Sequence, residues 1–216
     1  MKRRWNLRVL IGLLVILLAF WGDSWAQLPR LGVPPPLTKG GPRLGEKAPH
    51  FTLPDKYGSP MRLSELLAAS PAGENDKERK DPWVLLVFYR GYWCPSCNAD
   101  LRSLQKRQDE FTARGVRIVA VSSDPPDVTR NYADKQGFTF TFLSDAGTEV
   151  IREYDLLRKG SGSRRADVAR PAQFLIDSGG VFRWVNLSED MSVRVSPEDI
   201  LKVIDELSVV SSSARN

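Results

Sequence analysis

The segment Trp93-Cys94-Pro95-Ser96-Cys97 constrains this chain more than any other, because it holds the only two cysteines and sets them three residues apart. It follows an apolar run, Trp83 to Tyr89, and opens an amphipathic segment. The run reads as a buried strand and the spacing after it as a helix. A C-x-x-C at a strand-to-helix junction favours a reactive dithiol, since the amides and dipole of a helix's first turn stabilise a thiolate on the first sulfur. With no third cysteine, the pair cycles with itself or exchanges with a partner.

Plainer readings carry less. A structural zinc site needs four ligands, and His50 is the only histidine. A purely structural disulfide across so short a loop removes little unfolded-state entropy. Two inert core cysteines would pack as small hydrophobes. Neither of these last two accounts for Trp93 and Pro95 around the first sulfur. The strand–CxxC–helix context makes the redox reading the one adopted, and neither a metal nor a cofactor is expected.

Helical spacing separates the two sulfurs. Cys97, Leu101, Leu104 and Phe111 fall on one face, so Cys97 turns toward the core. Cys94 lies at the mouth of the helix, within reach of substrate. Cys94 is therefore expected to be the nucleophile and the more exposed, more acidic thiol. Cys97 is expected to resolve its mixed disulfide or sulfenic acid.

The N-terminus bounds the compartment. Lys2, Arg3, Arg4 and Arg8 precede thirteen uncharged residues, Val9 to Trp21, and small residues flank a cut after Ala26. This is the pattern of a secretory signal peptide, and the apolar core is short of the ~20 residues that span a bilayer. Trp21 and Trp25 keep an uncleaved membrane anchor open as an alternative. Export, to a periplasm or its equivalent, suits a chemistry that uses disulfides. Removing residues 1–26 lowers the net charge from +5 to +2, which leaves no electrostatic argument for nucleic acid. About 190 residues remain, enough for one well-cored domain.

Residues 27–43 form a Pro/Gly-rich linker with Pro34 to Pro36 at its centre. The folded domain is expected over 44–210, with a tail at 211–216. Ser70 to Pro82 is polar and reads as a surface loop. Elsewhere strands and helices alternate. Strands are expected at Phe51–Leu53, Trp83–Tyr89, Val116–Ser122 and Thr139–Leu143. A closing hairpin joins Ala172–Asp177 to Val181–Asn186. Helices are expected at Leu63–Ala69, Pro95–Arg114, Pro126–Lys135 and Thr148–Tyr154, with a last one from Ser196. A βαβ crossover followed by a hairpin and a terminal helix specifies an α/β fold, a mixed central sheet flanked by helices.

Arg90 and the basic loop Arg158, Lys159, Arg164, Arg165 read as solvated charges. Arg170 stands apart, because its position ahead of a strand puts a guanidinium near Cys94, where it would lower the thiol pKa. Pro171 is either an ordinary start to that strand or a cis proline against the dithiol. Tyr89 and Trp93 read as walls of the site, and His50 as a surface histidine.

Five stretches carry a resemblance to the alkyl hydroperoxide reductase/thiol-specific antioxidant family of the thioredoxin superfamily. They are "LGEKAPHFTLPDKYGSPMRLSELL", "WVLLVFYRGYWCPSC", "GVRIVAVSSDPPDV", "FLSDAGTEVIREYDLL" and "RPAQFLIDSGGVFRWV", spread between Leu44 and Leu207. Together they resemble the peroxiredoxin-like branch with a Phe-Tyr-Arg-Gly-x-Trp-Cys-Pro-x-Cys stretch. The resemblance implies a thioredoxin-like fold, Cys94 as the peroxidatic or nucleophilic thiol, Cys97 as its partner and Pro171 as a cis proline. Standard peroxiredoxins carry Pro-x-x-x-Thr/Ser-x-x-Cys, and here Val87 and Gly91 stand at the first two motif positions. On that basis peroxide reduction is expected to be slow, and Gly91→Thr to raise it.

The resulting expectation is an exported, peroxiredoxin-like, thiol-dependent oxidoreductase that reduces peroxide or disulfide through Cys94 and Cys97, with Trp93, Arg170 and Pro171 positioning substrate. Its partners are a peroxide or protein disulfide and a thiol electron donor, thioredoxin-like or a membrane reductase, with no nucleic acid. The alternatives are a thioredoxin-like disulfide reductase of exported proteins without significant peroxidase activity, and a non-enzymatic binding module with a structural disulfide.

Overall fold

The computed structural model describes residues 41–68, 82–187 and 195–213. The expected signal peptide, most of the linker, nearly all of the Ser70–Pro82 loop and half of the tail lie outside these residues. Among the described residues no helix is long and apolar enough to cross a membrane.

The order of elements is β1 (Thr52–Pro54), β2 (Pro60–Arg62), α1 (Leu63–Ala68), β3 (Trp83–Phe88), α2 (Pro95–Lys106), α3 (Gln108–Ala113) and β4 (Val116–Ser122), then α4 (Pro126–Gln136), β5 (Thr141–Ser144) and α5 (Glu149–Glu153). The chain continues through β6 (Leu157–Arg158), β7 (Val168–Ala169), β8 (Ala172–Ile176), β9 (Phe182–Leu187) and α6 (Pro197–Ser213). Five strands form the central sheet in the order β5-β4-β3-β8-β9. β5, β4 and β3 are parallel, while β8 and β9 add antiparallel to the other side of β3. The sheet is mixed and flanked by helices, as expected.

β3 is the central strand, and alternation divides its side chains between two layers. Val84, Leu86 and Phe88 join a core with Leu63, Leu66 and Leu67 of α1 and Val150 and Ile151 of α5. The opposite face lies under α2, α4 and α6. There the buried residues include Leu85 and Val87 of β3, Leu101 and Leu104 of α2, and Ile200 and Ile204 of α6. Two successive crossovers in one direction, β3-α2-β4 and β4-α4-β5, put α2 and α4 on the same side, since such connections share one hand. They meet through Tyr132 Oη, which donates to Asn98 Oδ1 at 2.6 Å. α6 is held against α3 by a bidentate Arg114–Asp205 pair at 2.7 and 3.0 Å.

One expected helix is two. The run Pro95–Arg114 breaks at Arg107, whose φ of −114° and ψ of 11° leave the helical region. Arg107 bonds Glu110 and Glu198 with its guanidinium, so the break sits where the chain turns toward the last helix. The two-stranded pairings β1–β2 and β6–β7 include segments for which no strand was expected. At two or three residues each they carry no readable period.

Phe174 on β8 shows where stability concentrates. It has no exposed surface, and its ring lies 6.0 Å from Phe88, 5.8 Å from Tyr154 and 5.3 Å from Phe182. Phe174→Ala is expected to cost about 3–5 kcal/mol, the range for a large buried aromatic lost without collapse of its site. Urea denaturation checks this. The midpoint should fall at an unchanged slope.

Candidate active site

β3 delivers the chain to the site. Tyr89 N–H still donates to Val121 O at 3.0 Å, after which residues 90–93 leave the sheet at the carboxyl end of its parallel strands. Cys94 N–H closes a turn onto Gly91 O at 3.1 Å, and Asn98 N–H donates to Cys94 O at 3.0 Å to begin α2. Cys94 is the N-cap, with extended φ and ψ of −85° and 109°, and Pro95 follows at the first helical position. Proline costs nothing there, because its missing N–H would have no partner in the helix. Cys94 Sγ accepts from Cys97 N–H at 3.4 Å and lies 3.4 Å from Ser96 Oγ. A capping sulfur on a helix amide is the arrangement that favours its thiolate.

Cys94 and Cys97 are disulfide-bonded, with their α-carbons 5.3 Å apart. Both are 1% exposed, so within the disulfide neither sulfur is the more exposed. Closing the bond draws Cys94 Sγ toward Cys97, and α2 turns Cys97 inward beside Leu101 and Leu104.

The loop before Cys94 is held on both sides. Tyr92 N–H donates to Asp124 Oδ2 at 2.8 Å, and Tyr92 O accepts from Asn98 Nδ2 at 2.9 Å. The Tyr92 ring is left outside, 49% exposed. Half-buried Trp93 carries the Arg90 guanidinium 4.8 Å above its ring. Arg90 Nη2 also donates to Ser161 O at 2.6 Å. Arg90 is therefore part of the site wall, not the solvated charge expected. Lys159, Arg164 and Arg165 are exposed, as is His50.

Arg170 is buried, at 4% exposure, and its N–H donates to Leu156 O at 2.6 Å. Ala172 pairs with Phe88, so Arg170 and Pro171 precede β8 at the end of the sheet from which the Cys94 loop departs. The Arg170–Pro171 peptide is trans. The expected cis bond is thus corrected, and the substrate-docking role that rested on it is withdrawn. Trans is the preferred isomer by about 0.5–1 kcal/mol, and the start of a strand asks only for extended geometry.

Three features escaped the sequence. The first is Asp124, at the end of β4, whose Oδ2 also accepts from Ser122 Oγ at 3.1 Å. The second is the backbone conformation of Gly91, whose φ is +143°. A Cβ there would stand 2.8 Å from Trp93 Nε1 and 3.0 and 3.1 Å from the Asp124 carboxylate oxygens. The third is a buried polar chain beneath α2, where Gln173 Nε2 donates to Asp100 Oδ2 at 3.2 Å and Asn186 Nδ2 to Gln173 Oε1 at 3.1 Å. The one signal that could have pointed to Asp124 is its place. It follows a parallel strand beside β3, on the rim where open α/β sheets put their ligands. Among the described residues no group of three or more His, Cys, Asp or Glu side chains is placed to hold a metal ion.

Burial pushes the Asp124 carboxyl above the ordinary carboxylate range, against the opposing bonds from Tyr92 and Ser122. The folded protein therefore binds this proton more tightly than the unfolded chain does. The resulting stabilisation is complete below the unfolded pKa and is lost as pH rises through the folded value. Asp124→Asn cannot ionise. Relative to that variant, the native protein is expected to be most stable in acid and to lose ground as pH rises, which urea midpoints at stepped pH would measure.

Residues 44–185 match the family model described as the AhpC/TSA family. "Peroxiredoxin Bcp" of Escherichia coli (strain K12) is 28% identical over 144 residues, 66% of this chain and 84% of that protein. "Thiol-disulfide oxidoreductase ResA" of Halalkalibacterium halodurans is 30% identical over 115 residues, 53% of this chain and 57% of that protein. The fold matches the crystal structure of peroxidoxin BcpB from Mycobacterium tuberculosis with a TM-score of 0.62 and 24% identity, over 78% of this chain and 98% of that one. It also matches a crystal structure of a mutant of peroxiredoxin 6 of Arenicola marina, with a TM-score of 0.66 and 18% identity, over 79% and 76% of the two chains. With its mixed sheet, its helix-capping dithiol and a family match over most of the folded part, the chain belongs to the AhpC/TSA family, has the thioredoxin-like fold and is a thiol-dependent oxidoreductase.

Proposed function

We propose that this protein is an exported hydroperoxide reductase working through a Cys94–Cys97 cycle. The Cys94 thiolate attacks the terminal peroxide oxygen, the O–O bond breaks, and the departing alkoxide takes up a proton to leave as the alcohol or water. Cys94 is then a sulfenic acid. Cys97 displaces its oxygen as water and closes the disulfide. A thiol donor supplies two electrons and two protons to restore both thiols. The observation that carries this reading is Cys94 as sulfur N-cap of α2, bonded to Cys97 and receiving its N–H. Arg170, buried at the same end of the sheet, is the cation proposed to favour the thiolate, and Trp93 the wall that positions the peroxide. The relatives named peroxiredoxin support peroxide as substrate.

Stopped-flow oxidation of the reduced protein tests the choice of substrate. Oxidation by hydrogen peroxide should outpace oxidation by a small mixed disulfide at equal concentration. The reverse order would replace the proposal with a disulfide reductase, the activity named in the ResA relative. Export rests on residues 1–26. If it is correct, protein recovered from the periplasmic fraction of a Gram-negative host begins at Gln27, whereas a full-length membrane-bound product would favour the anchor.

A further inference from the structure

The space beside Gly91 is already occupied. A Cβ at that position would meet the Trp93 indole nitrogen at 2.8 Å and the Asp124 carboxylate oxygens at 3.0 and 3.1 Å. These two side chains fill the place into which a threonine at position 91 would project. They reach it differently. Trp93 sits on the loop itself. Asp124 comes from the end of β4 and is fixed by its neighbours, its N–H donating to Ser122 Oγ at 3.2 Å and its carbonyl accepting from Ser144 Oγ at 2.6 Å. It is 9% exposed.

We propose that Asp124 is a positioning residue of the dithiol site: by holding the Tyr92 N–H it keeps residues 91–93 in the conformation that lays the Trp93 indole N–H beside Gly91, on the approach to Cys94. The indole N–H only donates. In the peroxide reaction, on which this role rests, that hydrogen bond goes to the oxygen that becomes negative as the O–O bond breaks. A hydroxyl at position 91 would donate from the same place. Asp124 touches neither substrate nor sulfur, and acts through Tyr92 and Trp93.

The surroundings suit a positioning role. The Asp124 charge acts on two titratable neighbours, Tyr89 and Tyr132. Burial, followed by the Asp124 charge, raises the Tyr89 phenol well above its ordinary value. Tyr132 is pushed up to about 12, chiefly by burial. Both phenols therefore stay neutral across the working range, and neither places a second negative charge beside the carboxylate.

The test uses the full-length protein and its variants Asp124→Ala, Asp124→Asn, Trp93→Phe and Asp124→Ala/Trp93→Phe. Asparagine keeps an oxygen for the Tyr92 N–H and alanine does not. Oxidation by hydrogen peroxide should slow about 10–100-fold in Asp124→Ala, the scale on which a misplaced contact costs rate. Asp124→Asn should restore most of that loss. The double variant should be no slower than the slower single one, because both substitutions interrupt one contact. Oxidation by a small mixed disulfide should change far less. The indole N–H signals report the loop directly by NMR. Trp93→Phe identifies the Trp93 signal among the six tryptophans. Asp124→Ala should then shift that signal, whereas Asp124→Asn leaves it in place.

A Trp93 signal unmoved by Asp124→Ala would overturn the proposal. So would additive losses in the double variant, or an asparagine variant as slow as the alanine one. Native protein that reacts with peroxide no faster than a free thiol would remove the peroxidase reading. In that event the NMR response alone decides whether Asp124 holds the loop.

Discussion

Cys94→Ser is expected to abolish turnover with every oxidant, while Cys97→Ser leaves the first attack intact and halts the cycle one step later. The asymmetry follows from where α2 puts each sulfur. Cys94 caps the helix, and its sulfur accepts the Cys97 N–H, so the thiolate that attacks first is the one stabilised by the helix terminus. Cys97 lies one turn inside, on the face that buries Leu101 and Leu104. It meets an oxidised Cys94 but no bulky substrate. A serine hydroxyl at 94 has no thiolate chemistry at neutral pH, so nothing downstream can proceed. With serine at 97 the sulfenic acid or mixed disulfide on Cys94 persists. Intact-protein mass spectrometry separates the two variants. After one equivalent of oxidant, Cys97→Ser should carry the trapped adduct and Cys94→Ser should carry none. Alkylation of the reduced native protein with limiting reagent should label Cys94 first, and preferential labelling of Cys97 would invert the assignment.

The parts of the fold that were legible in the sequence are those in which local pattern and tertiary role agree. Val116–Ser122 has the expected bounds because a parallel strand covered on both faces is apolar along nearly its whole length, here in all but Arg117 and Ser122. The last helix starts as expected because Ser196 Oγ accepts the Asp199 N–H and donates to its carboxylate. The break at Arg107 was not legible. Arginine is a good helix former, and what marks the break is a pair of carboxylates, one of them 91 residues away. The dithiol was legible because chemistry and position coincide in one short segment. Arg90 and Asp124 were not, since each acquires its role from a neighbour across the fold: Trp93 and Ser161 for Arg90, Tyr92 for Asp124. The trans peptide at Pro171 marks the limit of resemblance as a guide. A residue type carried over from a superfamily brings no backbone isomer with it.

Gly91→Thr, expected from sequence to raise the peroxide rate, is now expected to lower it and to destabilise the protein. The sequence comparison treats position 91 as a vacancy waiting for a hydroxyl, but two obstacles stand there. The first is the backbone, whose φ of +143° is a region that residues with a Cβ avoid. Holding a side chain in such a conformation costs about 1–3 kcal/mol, and a β-branched residue such as threonine fares worst. The second is the space itself, since a Cβ within 3.1 Å of three atoms of Trp93 and Asp124 forces one of them away. Trp93 sits next to Cys94, and Asp124 holds the Tyr92 N–H, so either displacement moves the redox loop. Glycine is thus required by the arrangement that replaces the hydroxyl. Gly91→Ala, which lacks both branching and the hydroxyl, separates the causes. It should share most of the stability loss, because backbone and Cβ are common to both variants. Peroxide oxidation should fall about 100-fold in Gly91→Thr if the loop shifts by an ångström or so. A threonine variant with native thermal stability and faster peroxide reduction would show that the loop yields at no cost, and would restore the hydroxyl as the missing element of this site.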